Sequence, residues 1–337
     1  MTRYGLRSLW GLGGSVVVLL AGCGGSAATS HGGSATPAPV PVTVAYMPTV
    51  GALGVAIAQH EGYFTKAGLD VHLSSFETGP DEIDAMASGQ IDMGYIGAGA
   101  GFLPMKGGAK AVMIDSISLA EGIVVAQGSG VRTVSDLKGK SVLVPLGTTG
   151  EIILYEALTS AGLNLSDVTP INITPTAEVA AFLSHRAPAM AGWVPNTTEA
   201  LAKSPGARML VSDKTYYPAL SLPNIWVASN QFAASHPAVV QRFLWAILQA
   251  DTFEATHTSE ALQWAAQLTG VPAATLQESV ASVKWLTASQ TVADAENGTA
   301  AAWLQQLADT FIAMKELTSV PSVSTYARLN WAALAKP

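Results

Sequence analysis

The sequence predicts an α/β fold of two lobes, in which parallel-type sheets carry flanking helices. Strand-like runs alternate with helical runs over most of the chain, which is typical of parallel strands joined by crossover helices. This alternation forms two consecutive series, each too small to occupy a chain of 337 residues. After residues 225–228 the pattern changes to helices alone, and such helices must pack on a sheet built by earlier strands.

The elements follow in order along the chain. The first series has predicted strands at residues 42–46, 70–76, 91–96, 111–117 and 123–127, helices at 53–60 and 81–88, and a glycine-rich turn at 97–101. The second has strands at residues 141–145, 169–173 and 189–194, with helices at 150–162, 177–185 and 197–203. The tail has predicted helices at residues 237–257, 259–268, 273–283, 292–316 and 325–335.

We expect the helical tail to complete the first lobe, because an unpartnered apolar helix face needs a sheet to cover it. The predicted first lobe is therefore residues 42–128 together with 219–337, and the second lobe is residues 129–218. Two strands would cross between these lobes. Paired lobes on such a hinge can close around a ligand, so the sequence predicts a ligand cleft at a two-strand hinge.

The N-terminus has the layout of an exported protein. Arg3 and Arg7 precede an apolar run at residues 10–20, which predicts a signal peptide over residues 1–22. The ending LAGC resembles the bacterial lipobox, which implies that Cys23, the single cysteine of the chain, is lipidated. The alternative is a soluble secreted protein with an incidental cysteine. Residues 23–41, rich in Gly, Ser, Ala, Thr and Pro, predict a flexible tether.

Composition narrows the function classes. The formal net charge of −7 argues against a nucleic-acid partner, which a basic surface would attract. The six histidines have no metal-like spacing, so we expect no metal site. The chain has no Gly-x-Ser-x-Gly motif and no carboxylate pair with a spacing that indicates acid–base catalysis. We therefore expect a protein that is not an enzyme and has no cofactor.

Four segments carry a family resemblance from residue 42 to residue 331. They are HEGYFTKAGLDVHL (60–73), SGQIDMGYIGAGAGF (88–102), TVSDLKGKSVLVPLGTTGEIILYEAL (133–158) and GWVPNTTEAL (192–201). In order and spacing they resemble the periplasmic solute-binding proteins of the nitrate, sulfonate and taurine group, the receptors of ABC importers. The resemblance implies a type 2 periplasmic-binding-protein-like fold, a monomer, and an ABC permease with its ATPase as partners. It implies a location in the periplasm or at the cell surface.

The resemblance also implies a set of ligand-binding residues at strand ends, where open parallel sheets bind ligands. Residues 98–100 and 148–149 follow strands and offer backbone N–H groups to an anion. Trp193 provides a flat wall beside a proline. The full set of candidates is Tyr46, Ala98, Gly99, Ala100, Glu121, Thr148, Thr149, Glu151, Trp193 and Asn224.

Acids occur near the predicted rim and basic residues do not: Glu77, Glu121, Glu151 and Glu178 fall on it or beside it. An anion bound without a cation depends on neutral donors and helix dipoles, and nearby carboxylates oppose it unless the solute also carries a positive end. A zwitterion such as taurine fits this requirement, with Glu121 or Glu151 as partner of its amine. Asn224 stands where taurine-type members place an aspartate, which gives weight to an aliphatic sulfonate without a charged tail.

Several alternatives stay open at this point. A receptor for nitrate or for a thiamin-precursor pyrimidine is possible within the same group; Trp193 would stack on the pyrimidine, and Glu151 or Asn224 would pair with its ring nitrogens. Pyrimidine-synthesising enzymes share the architecture, although they are expected in the cytoplasm. A sensor module that feeds no transporter is a further class, which a permease and an ATPase encoded alongside would argue against.

Overall fold

The computed structural model describes residues Ala38–Pro337, whose strands form two mixed sheets. The predicted signal peptide, Cys23 and most of the predicted tether lie outside these residues. The strands are β1 (Val40–Tyr46), β2 (Leu69–Ser75), β3 (Met93–Ile96), β4 (Lys110–Ser118), β5 (Glu121–Val125), β6 (Ser141–Val144), β7 (Thr169–Asn172), β8 (Ala189–Trp193), β9 (Arg208–Ser212), β10 (Leu222–Ala228) and β11 (Val283–Trp285).

Helices cover both sheets. They are α1 (Leu53–His60), α2 (Tyr63–Lys66), α3 (Gly79–Ala87), α4 (Phe102–Met105), α5 (Thr149–Ser160), α6 (Pro175–Leu183), α7 (Asn196–Lys203), α8 (Asn230–Ser235), α9 (Pro237–Thr269), α10 (Ala273–Val280), α11 (Ala288–Glu296), α12 (Thr299–Ala313) and α13 (Val323–Tyr326). Within residues 38–337, no helix combines the length and apolar character needed to cross a membrane.

The two sheets have the same layout. The first has the strand order β11-β4-β10-β3-β1-β2, in which β1 runs parallel to β2 and β3, while β10 is antiparallel to both of its neighbours. The second has the order β7-β6-β8-β5-β9, in which β6 runs parallel to β7 and β8, while β5 is antiparallel to β8 and β9. Each sheet thus contains parallel strands from one series. It also contains an antiparallel strand, β10 or β5, which is the first strand that the chain forms after it arrives from the other sheet. The predicted α/β fold is confirmed.

The chain passes between the sheets twice. Only Leu119 and Ala120 separate β4 of the first sheet from β5 of the second, and residues 213–221 return the chain from β9 to β10. The predicted lobe division assigns residues 123–127 to the first lobe, whereas β5 pairs with strands of the second sheet. β5 is buried along its whole length and its sequence does not indicate a partner. We propose that the first lobe ends at Leu119 and Ala120.

The first sheet carries most of the core. α1 and α9 pack on one face, where the Trp226 and Phe243 rings meet edge to face with centroids 5.3 Å apart. α12 packs on the other face through Leu307 and Phe311. Both faces are covered, which accounts for the continuous apolar sequence of its central strands. The backbone of α9 departs from helical angles at His257, between the two helices predicted for this segment.

The tail differs from the all-helical prediction. Residues 283–285 form β11, a strand that pairs antiparallel with β4, so the helix predicted over 273–283 ends earlier, at Val280. The helix predicted over 292–316 is two helices, α11 and α12, separated at Gly298, whose φ of +89° is incompatible with a continuous helix. The tail therefore contributes an edge strand to the first sheet as well as helices.

Candidate solute-binding cleft

A cleft of about 690 Å³, counting the space at its mouth, lies between the two sheets. It opens beyond the carboxyl ends of β1, β2 and β3 in the first sheet and of β6 and β8 in the second. This is the position where open α/β sheets bind ligands. Its lining residues are Met47, Thr49, Val50, Gly51, Thr78, Gly79, Tyr95, Gly97, Ala100, Ser118, Ala120, Glu121, Gly147, Thr148, Thr149, Trp193, Val194, Asn224, Val283 and Trp285.

The glycine-rich turn after β3 touches the threonine turn before α5. A Cβ built on Gly99 would overlap the carbonyl carbon of Thr148 and the backbone nitrogen of Thr149. Gly97, in the same turn, has more room, because a Cβ there would lie 3.6 Å from the nearest atom, Cγ2 of Thr149. The two sheets therefore approach each other through backbone contact, and glycine at position 99 is what permits it.

The N-terminus of α5 forms one wall of the cleft. Thr148 is its N-cap and Thr149 its first residue, and each side chain is 7% exposed. The Thr148 hydroxyl donates a hydrogen bond to the Pro145 carbonyl, 2.6 Å away, whereas the Thr149 hydroxyl has no partner among the described residues. Thr149 thus offers its side chain to an anion, together with the N–H groups of Thr149 and Gly150, whereas those of Glu151 and Ile152 donate to the Thr148 carbonyl.

Glu121 provides the single acidic side chain of the lining. It begins β5, directly after the crossing between the sheets, and is 4% exposed. Its Oε1 accepts a hydrogen bond from the Ser118 hydroxyl (3.0 Å), and its Oε2 accepts one from the Ala120 N–H (3.2 Å). These bonds fix the carboxylate while leaving lone pairs for a further donor.

A second carboxyl lies against Glu121. The Glu121 N–H donates to Oδ2 of Asp213, 3.3 Å away, at the start of the segment that returns the chain to the first sheet. Burial raises the pKa of Asp213 to about 9, and the neighbouring Glu121 carboxyl contributes to the increase. At neutral pH the Asp213 carboxyl therefore retains its proton. Glu121 and Asp213 lie on the two segments that join the sheets.

Asn224 and Tyr95 belong to a buried hydrogen-bond network under the cleft. The Asn224 amide donates to the Ser116 hydroxyl (3.0 Å), and this leaves its amide oxygen for a ligand. The Tyr95 hydroxyl donates to Asp115 (2.6 Å), and the Trp226 indole N–H donates to the same carboxylate (2.6 Å). The network holds the Tyr95 ring and Asn224 in fixed orientations.

Aromatic rings form further parts of the lining. Trp193 ends β8, as predicted from its place beside Pro195, and Trp285 lies on β11. Tyr95, Trp285 and Val283 were not among the predicted candidates. Tyr95 follows a glycine in a buried strand, a pattern that resembles ordinary core, and Trp285 lies just beyond a segment predicted as helix. No signal in the sequence identifies either as a lining residue.

The structure brings a subset of the predicted residues to the cleft: Ala100, Glu121, Thr148, Thr149, Trp193 and Asn224. Ala98 and Gly99 are buried in the turn and do not line it. The Tyr46 ring packs in the core between α1 and α9, and its hydroxyl donates to the Leu268 carbonyl (3.2 Å). Tyr46 points this way because β1 alternates its side chains, so that Val44 and Tyr46 share one face.

Glu151 also lies outside the lining. Its Oε2 accepts a hydrogen bond from the Gly147 N–H at 2.7 Å, so the side chain closes its own turn. Burial raises the pKa of this carboxyl, and the charge of Glu316 adds to the increase. The expected pairing of Glu151 with an amine has no support in this geometry, whereas Glu121, the other candidate, faces the cleft.

The remaining acids near the rim have other contacts. Glu77 accepts hydrogen bonds from the Thr176 hydroxyl at 3.0 and 3.2 Å, and this links the loop after β2 to α6 across the mouth. Glu178 is fully buried behind the cleft, where its Oε2 accepts from the Asn196 amide (2.9 Å). Burial raises the pKa of Glu178 to about 8.

The described lining of the cleft thus has one acidic side chain, that of Glu121, and its other side chains are uncharged. Among the described residues that line it, none is Lys, Arg, His or Cys. Anion binding must therefore depend on backbone N–H groups, hydroxyls and the α5 dipole. A helix N-terminus contributes about 0.3–1 kcal/mol per charge when exposed and more when partly buried.

The comparisons with known proteins agree with this architecture. A family model described as NMT1/THI5 like matches residues 50–261. A protein of Brucella abortus, described by its name only as a binding protein, is 32% identical over 281 residues that cover 83% of this chain and 88% of its own. The taurine-binding periplasmic protein of Escherichia coli is 28% identical, over 85% of this chain and 89% of its own.

Solved structures share the fold. The periplasmic aliphatic sulphonate binding protein of Escherichia coli superposes with a TM-score of 0.67 at 25% identity, covering 86% of this chain and 92% of that one. A desulfurization enzyme superposes with a TM-score of 0.62 at 16% identity, covering 88% and 98%. The fold therefore accommodates binding proteins and enzymes, and function must be argued from the cleft.

These matches confirm the resemblance that the sequence segments indicate. The family model covers residues 50–261, in which all four segments lie, and the relatives include proteins named for taurine and aliphatic sulphonates. The family model spans more than half of the chain, and the Brucella relative exceeds 30% identity over more than two thirds of it. The chain therefore belongs to the NMT1/THI5-like family.

Proposed function

We propose that the chain is a solute-binding receptor of an ABC importer and that its cleft takes a small aminosulfonate such as taurine. One observation carries this proposal. The cleft combines the N-terminus of α5, with the unpaired Thr149 hydroxyl, and a single buried carboxylate, Glu121, while its lining contains no cationic side chain. A solute with one anionic and one cationic end is complementary to this arrangement.

The sulfonate end lies at α5 in this proposal. A sulfonate has oxygens that accept several hydrogen bonds at once, and the first turn of a helix presents several unpaired N–H groups in one direction. The two lobes would enclose the anion and remove water from it, which strengthens these interactions.

The amine end lies at Glu121. A buried carboxylate is costly unless it is paired with a donor or a cation, and Glu121 has only two donors from the Ser118 hydroxyl and the Ala120 N–H. A protonated amine supplies both charge and donors. Asn224 offers its amide oxygen, an uncharged acceptor, to the same amine, so Glu121 alone supplies charge at this end.

Delivery to a transporter completes the proposal. Contacts across the mouth, such as the one between Thr176 and Glu77, favour a closed form in which both lobes present one continuous surface to a permease. Lipidation of Cys23 would hold the receptor at the membrane as a monomer, in the periplasm or at the cell surface. The partners are then an ABC permease and its ATPase, with neither a cofactor nor a reaction required.

A second candidate solute is an amino-substituted pyrimidine. The specific observation in its favour is that Tyr95, Trp193 and Trp285 all line the cleft, so a flat ring could stack. Its amino group and ring nitrogen would pair with Glu121 and Asn224. This solute lacks the anion that the α5 terminus would bind.

A thermal unfolding panel distinguishes the two candidates. We would melt the chain without its predicted signal peptide in taurine, ethanesulfonate, nitrate, sulfate and an aminopyrimidine. A bound solute at about a hundred times its Kd stabilises the fold by roughly 2.7 kcal/mol. We expect taurine to raise the melting temperature most. A shift with the aminopyrimidine and none with any sulfonate would contradict the proposal and support the second candidate.

A further inference from the structure

A second chamber adjoins the cleft behind Trp285. It is a small cavity with room for about one water-sized group, within a region of about 260 Å³ that includes space open to solvent. It is lined by Leu53, Gly54 and Ile57 of α1, by Asp251 and Glu254 of α9, and by Trp285 and Leu286. Trp285 is the residue common to this chamber and to the solute cleft. Its side chain therefore forms the wall between them.

The strand geometry explains how one side chain reaches both spaces. Trp285 pairs with Ser116 of β4 and Val283 pairs with Ser118, so both project from the same face of β11 into the cleft. Lys284, between them, projects away and donates a hydrogen bond to the Tyr217 hydroxyl at 3.0 Å. Trp285 lies at the end of β11, where its indole also borders α1 and α9.

Two polar groups of this region are buried without partners. The Trp285 indole N–H and Oδ2 of Asp251 have no hydrogen-bond partner among the residues described, and both residues line the chamber. Buried polar groups of this kind are rare and costly, so each requires an explanation. Burial raises the pKa of Asp251 well above its ordinary value, with further contributions from Asp115 and Glu254.

We propose that Trp285 determines the length of solute that the cleft accepts, and that the chamber behind it becomes a subsite for a protonated amine once this side chain is shortened. With tryptophan at this position the wall is closed and the cleft suits short solutes. With a small residue the two spaces join, and a longer solute would place its amine beside Asp251 and Glu254. This inference rests on the proposed binding of sulfonates in the cleft.

The test uses two matched series of solutes. One is the ω-aminoalkanesulfonates with two to eight carbons, and the other is the alkanesulfonates of the same lengths without the amine. Both are titrated calorimetrically into wild type, Trp285→Ala and Trp285→Phe. We expect wild type and Trp285→Phe to reject the long members, because phenylalanine keeps the wall. Trp285→Ala should bind the long aminosulfonates at least about tenfold more tightly than wild type does.

The double variant Trp285→Ala with Asp251→Asn isolates the amine subsite. It should lose the gain for long aminosulfonates and keep the gain for long alkanesulfonates. Trp285→Leu gives the same length test if the alanine variant does not fold. If the alanine and leucine variants bind short solutes but show no increase in affinity for long ones, Trp285 is not the wall. If Asp251→Asn weakens the binding of both series alike, the amine subsite is wrong. If wild type binds no sulfonate of any length, the proposed function itself fails, and this inference with it.

Discussion

At the scale of single residues, Gly99 is the clearest point of contact between the two sheets. Its backbone lies directly against Thr148 and Thr149, and the space for a side chain is filled by their main chain. The sequence indicates a functional glycine turn at residues 97–101, but it cannot indicate which glycine is required by contact with a segment some fifty residues later. That distinction depends on the tertiary arrangement.

We expect Gly99→Ala to weaken solute binding by about tenfold or more. A methyl group at this position prevents the two turns from meeting, and the apparent Kd rises as the closed form becomes rarer. Titration calorimetry with taurine measures the effect. The melting temperature without solute should change little, because opening of the lobes relieves the clash.

Gly54→Ala, in α1 and outside the cleft lining, is the control for this prediction. The added Cβ would lie 3.6 Å from its nearest neighbour, Cγ2 of Ile247, which is an ordinary contact distance. It should bind taurine with nearly the wild-type affinity. Equal affinities of the two variants would show that contact at Gly99 is not needed for binding.

The candidate site illustrates what single residues reveal in sequence. Thr149 and Trp193 were predicted because each lies at or beside a strand terminus, where lining residues concentrate in α/β folds, and Glu121 because it resembles a family position at the hinge. Glu151 was a weaker inference, because a residue two positions further along the helix faces another direction. Its carboxylate reaches the Gly147 N–H instead. Local hydrogen bonds set the direction of a side chain within a turn, and the spacing of residues in the sequence does not indicate these bonds.

At the scale of elements, the two series of strands and helices repeat each other. β1-α1-β2-α3-β3 in the first sheet corresponds to β6-α5-β7-α6-β8 in the second. In both series a threonine, Thr78 or Thr174, is the N-cap of the second long helix, and a buried glutamate is its fourth residue. Glu82 accepts a hydrogen bond from the Tyr95 N–H (3.0 Å), and Glu178 accepts one from the Asn196 amide. Glu82 thus links α3 to β3, whereas Glu178 links α6 to the start of α7, just after β8.

Burial of Glu178 predicts a specific pH dependence. Its folded-state pKa of about 8 is above the ordinary value of 4.5, so the folded protein retains a proton that the unfolded chain loses. The stabilisation is complete below pH 4.5 and is lost as the pH rises toward 8. The slope reaches at most about 1.4 kcal/mol per pH unit. We expect Glu178→Gln to remove this pH dependence. The unfolding free energy of the variant should therefore rise relative to that of wild type between about pH 5 and 8.

Chemical denaturation at several pH values measures the difference. Glu260→Gln, at an exposed position of α9, is the control and should follow wild type throughout. A difference between Glu178→Gln and wild type that stays constant with pH would mean that Glu178 is ionised in the folded protein.

The tail explains why elements beyond residue 270 were harder to predict. β11 has only three residues, and its pairing with β4 is set by a partner distant in the chain. Helical periodicity continues across Gly298. The glycine itself is therefore the sequence signal of the break between α11 and α12. Short edge strands have weak patterns because packing rather than propensity determines them. Trp285 was missed for this reason.

At the scale of the whole molecule, the alternation of strands and helices was sufficient to predict the two-lobed α/β architecture. It was not sufficient to place the crossing between β4 and β5, since both strands are buried almost throughout and neither sequence indicates which sheet the strand joins. The crossing matters for function, because Glu121 and Asp213 stand on the two segments that join the sheets. A solute that contacts Glu121 therefore contacts the hinge itself.

The central claim is that the cleft binds an aminosulfonate by its two ends, with Glu121 at the amine. The most direct test is calorimetric titration of taurine and of ethanesulfonate, which lacks the amine, into wild type and Glu121→Gln. A hydrogen bond to a charged group contributes about 1.5–3 kcal/mol, so we predict that the variant binds taurine at least about tenfold more weakly and binds ethanesulfonate as tightly as wild type or more tightly. An equal loss of affinity for both solutes, or no loss for taurine, would contradict the claim.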